Sequence, residues 1–190
     1  MTGVQTCALP IFRVAGSGGQ GVILAAVIIG QAAALKEEGL NSVQSQAYGP
    51  EARGGASKSE VVIARGEIDY PKAANPNLQV ILTQKAADEY SHDTAKGGTV
   101  ILDDFFVQNV PDIDAEIFRL PIVKTAREVI GKEIVTNMVA LGTVARVLEL
   151  QGLLKPDSIK QTILENVPKG TEELNSRAFD EGYKLMKEKK

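Results

Sequence analysis

Three glycines stand at the spacing G-x-G-x-x-G: Gly16, Gly18 and Gly21, within Gly16-Ser17-Gly18-Gly19-Gln20-Gly21. A short strand-like run precedes them and an Ala- and Ile-rich run follows. Glycines at a strand-to-helix turn let a phosphate or another backbone come close, and the helix start offers free N–H groups and partial positive charge. A second stretch, Ala47-Tyr48-Gly49-Pro50-Glu51-Ala52-Arg53-Gly54-Gly55, sets an aromatic, an acid and a base in a frame of proline and glycine, with Lys58 just beyond. Pro50 stiffens such a loop, and Gly49, Gly54 and Gly55 accept φ > 0 or close backbone approach. Glu51 and Arg53 are then held at fixed places. Two uses follow: an ion pair that closes a long turn on itself, or a rigid finger aimed outside the domain, as functional loops on α/β scaffolds are.

Other chemistry is thinly represented. A dinucleotide site wants an acid at the end of the second strand, about 20 residues past the glycines. The second strand-like run, Asn41 to Gln46, has none, and Glu37 and Glu38 fall on a helix end. NAD and FAD are therefore disfavoured. An anion, a subunit contact, or mere tight packing at Gly18-Gly19 remain as uses of the turn. Ser57 and Ser59 have no neighbouring His or Lys base in a nucleophile pattern. The single histidine, His92, sits in a polar helix end and reads as solvated or capping, without partners at metal-ligand spacing. The single cysteine, Cys7, excludes a disulfide framework, a Cys-type zinc site and an iron–sulfur cluster held by this chain alone.

The elements that must position these residues read as follows. Phe12 to Ala15 is a strand running into the glycine turn. Val22 to Glu38 is a helix, apolar nearly all round in its first half and so buried on several sides, ending at Gly39. Asn41 to Gln46 and Ser57 to Arg65 are strands flanking the second loop, and Ile68-Asp69-Tyr70 turns before Pro71. Leu78 to Thr83 is a central strand by its continuous apolar run. A helix over Gln84 to Asp93, strands over Thr99 to Leu102 and Ala115 to Leu120, and helices over Ile122 to Ile130, Val135 to Leu150, Pro156 to Val167 and Thr171 to Lys187 complete the chain. This order predicts an α/β fold: an open, mostly parallel or mixed sheet with helices on both faces and a helical C-terminal third. In the Val135–Leu150 helix, Asn137 is either a polar contact at the helix start or a hydrogen bond at a subunit interface, where Gly142 and Ala145 would allow close approach. Of Phe105-Phe106, one ring can serve the core and the other a contact surface.

Bulk properties exclude several classes. An apolar share of 44% with 24% charged residues is ordinary for a globular domain and argues against disorder. A net charge of −3 gives no basic footprint for nucleic acid. No apolar run reaches the roughly 18 residues of a membrane span, and a cytoplasmic protein is the default expectation. Thr2 to Ile11, TGVQTCALPI, resembles the translation of a sequencing-adapter oligonucleotide and lacks the features of a signal peptide. Residues 1–11 are accordingly set apart as a non-native segment, the alternative being a genuine short arm, and 12–190 as a single domain.

The motifs taken together carry a family likeness. GSGGQGV followed by QAYGPEARGGASKSEVVI resembles the gamma subunit of 2-oxoacid:ferredoxin oxidoreductases, and the 2-oxoglutarate type in particular. The resemblance continues through IDYPKAANPNLQVILTQKA, RLPIVKTAREVIG, NMVALGTVARVLEL and ELNSRAFDEGYK, from Phe12 to about Lys184. An indolepyruvate-type relative would carry a His-Gly-Met-like triplet before Arg-Gly-Gly, where this chain has Tyr48-Gly49-Pro50-Glu51. The resemblance implies a subunit of a complex that converts a 2-oxoacid and coenzyme A to acyl-CoA and CO2 with reduction of ferredoxin. Thiamine diphosphate, Mg and iron–sulfur clusters would be held on or with alpha, beta and delta subunits, and this chain would be accessory. Gly16, Gly18, Gly19, Gln20, Gly21, Tyr48, Glu51, Arg53, Gly54, Gly55 and Lys58 would then contact CoA or the other subunits, with Arg53 and Lys58 the cations for a CoA phosphate. A stand-alone nucleotide-binding module, or a gamma-type subunit for another 2-oxoacid, are the alternatives.

Overall fold

A computed structural model describes residues 10–48, 55–68 and 74–187. Six strands form one mixed sheet: β1 (Ile11–Ser17), β2 (Asn41–Tyr48), β3 (Ala56–Ala64), β4 (Leu78–Ile81), β5 (Gly98–Asp103) and β6 (Ala115–Leu120), in the order β2-β3-β1-β4-β5-β6. β1, β4, β5 and β6 run parallel, and β3 runs antiparallel to both of its neighbours, β1 and β2. The predicted mixed sheet is thus present, with β3 as the one inverted strand. Its insertion places β2 two positions from β1, so β2 does not lie beside β1 where a dinucleotide fold would put the acid.

The helices are α1 (Val22–Lys36), α2 (Gln84–Tyr90), α3 (Ile122–Lys124), α4 (Thr136–Leu150), α5 (Pro156–Asn166) and α6 (Glu172–Lys187). The single α-helix expected over Ile122 to Ile130 is α for one turn only; Thr125–Ile130 is π-helical and ends at Gly131, φ 83°. Strand alternation divides the core between the two faces. Phe12, Val14, Val61, Ile63, Val80 and Ile101 face α1 and the C-terminal helices, while Ala15, Ile81, Val100 and Leu102 face α2. α1 is covered by the sheet on one side and by α5 on another, which is why its apolar residues run nearly all round it.

Glycine closes the C-terminal third. A Cβ at Gly142 in α4 would fall on the Phe179 carbonyl oxygen of α6, and one at Gly182 on the Val139 carbonyl oxygen of α4. Gly142 therefore serves a contact within the chain, not the subunit interface considered for it from sequence. At the N-terminal end, β1 starts one residue earlier than expected. Ile11 donates its N–H to Asn77 Oδ1 (3.1 Å) and the Pro10 carbonyl accepts from Ile63 N (3.0 Å). The last two residues of the adapter-like stretch thus join the sheet, and its first residues lie outside the described ones.

Candidate functional site

β1 and β4 are adjacent and parallel, yet the helices that follow them, α1 and α2, pack on opposite faces. Such a divergence opens a crevice at the carboxyl ends of the two strands, where α/β proteins bind ligands. The glycine turn occupies this point. Gln20 closes it from within: its Oε1 accepts from Ser17 N (2.8 Å) and its own N–H donates to the Ser17 carbonyl (3.2 Å). Gly21 caps α1 in the left-handed region, φ 70° and ψ 24°, and supplies no side-chain cap.

The four glycines of the turn have two different surroundings. A Cβ at Gly16 would lie 3.2 Å from Val22 Cγ1 and 3.3 Å from Leu82 Cβ, and would also meet Gln20 Oε1. At Gly21 it would lie 2.8 Å from Asn137 Cγ. These two glycines permit packing. Around Gly18 and Gly19 nothing among the described residues lies within 4 Å of such an atom, and both residues are exposed. The tight strand-to-helix packing considered for Gly18-Gly19 therefore falls on their neighbours, and Gly18-Gly19 present open backbone.

Asn137, buried at the first turn of α4, donates from Nδ2 to the Gly21 carbonyl (3.3 Å). It is a contact at a helix start that ties the C-terminal helices to the glycine turn. Sequence placed it on the right helix, but nothing local names a partner 116 residues away.

Sheet register brings the second motif to the same place. Ser17 pairs with Ala56 and Gly16 with Ser57, while Tyr48 pairs with Ser57 from the other side. The two ends of the AYGPEARGG loop thus sit beside the glycine turn. Tyr48 ends β2 and Gly55, half-buried, leads into β3. Gly49, Pro50, Glu51, Ala52, Arg53 and Gly54 lie outside the described residues, so the proposed Glu51–Arg53 pair does too.

Lys58 is drawn inward. Its Nζ lies 3.0 Å from Glu60 Oε1 and 5.3 Å from the centre of the Tyr90 ring. It belongs to a buried ionic cluster that composition did not disclose. Arg13, wholly buried in β1, donates Nε to Glu60 Oε1 (2.6 Å) and Nη1 and Nη2 to the two oxygens of Asp93 (2.5 and 2.8 Å). Nη1 also reaches the Tyr90 carbonyl (3.0 Å) and Gln79 Oε1 (3.3 Å). Two cations and two carboxylates balance, as burial of an arginine requires. Burial pushes the Asp93 carboxyl up, but the hydrogen bond and charge of Arg13 outweigh it and hold Asp93 below its ordinary value. Burial, with Glu89 alongside, pushes the Tyr90 phenol up to about 12, so it remains a donor at neutral pH. The one sequence signal was an arginine inside an apolar strand, Phe12-Arg13-Val14.

The remaining singled-out residues have structural partners or open surface. Glu37 accepts from Lys155 N (2.9 Å) and Ser158 Oγ (2.7 Å), capping the start of α5. His92 is exposed. Ser59 donates to the Ser45 carbonyl (3.1 Å). Phe105 is exposed and Phe106 half-buried, their rings 5.0 Å apart with Arg127 over both. Val107, not either phenylalanine, fills the core there. Among the described residues no group of three or more His, Cys, Asp or Glu is placed to hold a metal, and no helix is long and apolar enough to cross a membrane. Two cavities, about 270 Å³ beside β6 and 330 Å³ between α4, α5 and α6, include no residue of the glycine turn. At the turn itself the arrangement can receive an anion or another chain's backbone. Among the described residues it brings no nucleophile–base pair to the opening.

Known proteins share this sequence and fold. The family described as pyruvate ferredoxin/flavodoxin oxidoreductase matches residues 11–185. The chain is 47% identical over 178 residues to the 2-oxoglutarate synthase subunit KorC of Methanocaldococcus jannaschii, covering 93% of each. It is 44% identical over 182 residues to the subunit of the same name in Methanothermobacter marburgensis, covering 93% of this chain and 96% of that one. The gamma subunit of a keto/oxoacid ferredoxin oxidoreductase from Geobacter sulfurreducens superposes with a TM-score of 0.83 at 39% identity, over 94% of this chain and 99% of that one. A 2-oxoglutarate:ferredoxin oxidoreductase from Magnetococcus marinus, solved with 2-oxoglutarate, coenzyme A and succinyl-CoA bound, has the same fold. Its TM-score is 0.83 at 22% identity, over 96% of this chain and 32% of that longer one. With nearly its whole length matched, the chain belongs to the pyruvate ferredoxin/flavodoxin oxidoreductase family.

Proposed function

We propose that the chain is the gamma-type accessory subunit of a 2-oxoglutarate:ferredoxin oxidoreductase, and that its glycine turn and the adjoining β2–β3 loop meet coenzyme A or the other subunits. The identity to archaeal 2-oxoglutarate synthase subunits over 93% of the chain supports the assignment over a lone nucleotide-binding module. The complex joins 2-oxoglutarate and coenzyme A to give succinyl-CoA and CO2, with two electrons passed singly to ferredoxin. Thiamine diphosphate with Mg supplies the carbanion chemistry and iron–sulfur clusters the electron path. A single cysteine cannot ligate a cluster that needs four thiolates, so the clusters are assigned to beta and delta partners, and the family resemblance assigns the thiamine site to alpha and beta.

What this chain offers is binding and orientation. The observation that carries the site is the register Ser17↔Ala56, which sets open Gly18-Gly19 beside the ends of the Arg53 loop. Free N–H groups at the start of α1 suit a phosphate or a carboxylate. Lys58 is already engaged by Glu60, which leaves Arg53 as the loop's cation for that role.

Arg53→Ala tests the reading by paired measurement. If Arg53 only closes a solvated turn, its loss costs about 0–1 kcal/mol of stability and nothing else. If it makes a two-pronged contact to phosphate or carboxylate, its loss costs about 2–5 kcal/mol of binding. The second result is expected: unchanged melting of the free subunit, with weaker subunit affinity or a raised KM for coenzyme A in the reconstituted complex. Unchanged affinity and unchanged KM would reduce the loop to a stiff turn.

A further inference from the structure

At the end of α2, Tyr90 connects two things that are far apart in sequence. Its backbone carbonyl is fixed by Arg13 Nη1 (3.0 Å) and Gln79 Nε2 (3.3 Å), both anchored in the sheet. Its side chain extends from that fixed point to the beginning of β3. There Oη donates to the Ala56 carbonyl (3.3 Å), and the Lys58 ammonium stands 5.3 Å from the ring centre. The Arg13 guanidinium lies 5.9 Å from the same ring. Both cations are attracted to the ring's negative face. Ala56 is the residue that pairs with Ser17 of the glycine turn.

We propose that Tyr90 is a positioning residue, which holds the start of β3 against the glycine turn and so fixes the opening at Gly18-Gly19. This rests on the reading of that opening as the contact surface for coenzyme A or a partner subunit. A packing residue alone would need only the ring. The phenol hydroxyl adds a directed contact to the carbonyl of the first residue of β3, with the Glu89 carboxylate as a second acceptor beside it. The ring packs on the cluster that includes Ile81, Val100 and Leu102, so removing the hydroxyl alone leaves that packing in place.

Tyr90→Phe keeps the ring and removes the hydroxyl. Hydrogen exchange on the full chain reads the effect directly. Losing one part-buried hydrogen bond of about 1 kcal/mol corresponds to about fivefold faster opening. The expected result is that acceleration at the Gly55–Ser59 amides with β5 unchanged, and, in the reconstituted complex, weaker subunit affinity or a raised KM for coenzyme A at unchanged kcat. Unchanged exchange at 55–59, or an equal acceleration through β5, overturns the proposal. So does a complex in which Gly18→Val weakens assembly and Tyr90→Phe does not. If instead Tyr90→Phe loosens 55–59 while Gly18→Val and Arg53→Ala leave assembly and KM untouched, the clamp stands and the contact reading of the opening falls.

Discussion

Glycine appears in two regions of this molecule for opposite reasons. Between α4 and α6, Gly142 and Gly182 exist because another backbone already occupies the space a side chain would take. At the glycine turn, Gly18 and Gly19 face nothing among the described residues within reach of a Cβ. The first pair is explained entirely by the chain itself. No contact among the described residues explains the second pair, and an exposed glycine that neither packs nor relieves a clash is where an approaching molecule would account for it. Gly19, at φ 91°, also has a conformational reason to be glycine; Gly18 has none. Of the four glycines in the turn, Gly18 is therefore the one whose identity points outward most clearly.

The contrast can be broken by substitution. Gly142→Ala or Gly182→Ala drives a methyl into a carbonyl of the facing helix, and backbone cannot swing aside as a side chain can. A cost of about 1–3 kcal/mol or more is expected, a fall in Tm of several degrees for a chain of this size. Thermal unfolding of the free subunit measures it, and a Tm within a degree of the parent would mean the helices separate at no cost. Gly18→Val is expected to change stability by no more than about 0.5 kcal/mol while weakening assembly or coenzyme A use in the complex at least about tenfold, the loss of about 1.4 kcal/mol of contact. A variant that melts and assembles like the parent would show that nothing approaches the turn.

A smaller effect separates the two regions by pH. The start of β3 is held by charge, through Arg13, Asp93, Glu60 and Lys58, whereas the Gly142–Gly182 contact of the α4–α6 seam does not titrate. The seam's one shifted carboxylate among the described residues, Glu149, is held down by its hydrogen bonds from Tyr183 and Arg146. Because Arg13 holds the Asp93 carboxyl below its ordinary value of 3.8, this group's stabilisation is fully present above that value. It is lost as pH falls through the depressed folded value, where the native state must take up a proton. Unfolding measured from neutral to acid pH should show a shallower acid limb in Asp93→Asn than in the parent, and identical slopes would assign the acid sensitivity elsewhere. Gly142→Ala should leave the difference in slope between Asp93 and Asp93→Asn unchanged.

Much of this architecture is legible in local pattern. The continuous apolar runs of β4 and β5 announce buried parallel strands, and the apolar girth of α1 announces a helix covered on several sides. Ala115–Leu120 and the starts of α1, α2 and α5 fall where turn and proline signals put them. The inversion of β3 is not legible, because a strand's own residues record which faces are buried and not which strand lies alongside. The Arg13 cluster is hidden for a related reason: its partners lie 47 and 80 residues away. Asn137 and Gly142 show the limit most plainly. Small and polar residues in a helix signal a close contact, but one that is intramolecular and one that is intersubunit look the same in sequence.

The inverted strand also sets an order of assembly. Among the described strands β1 is synthesised first, but neither of its sheet neighbours begins before Ala56, and the second waits for Leu78. Among the described strands, the pair with the shortest connection is the antiparallel β2–β3 hairpin. Local pairings form fastest, and distant ones must first close a loop. A chain emerging from the ribosome therefore builds the sheet outward from β2–β3, and its N-terminal strand threads in afterwards, between partners that are made later than itself.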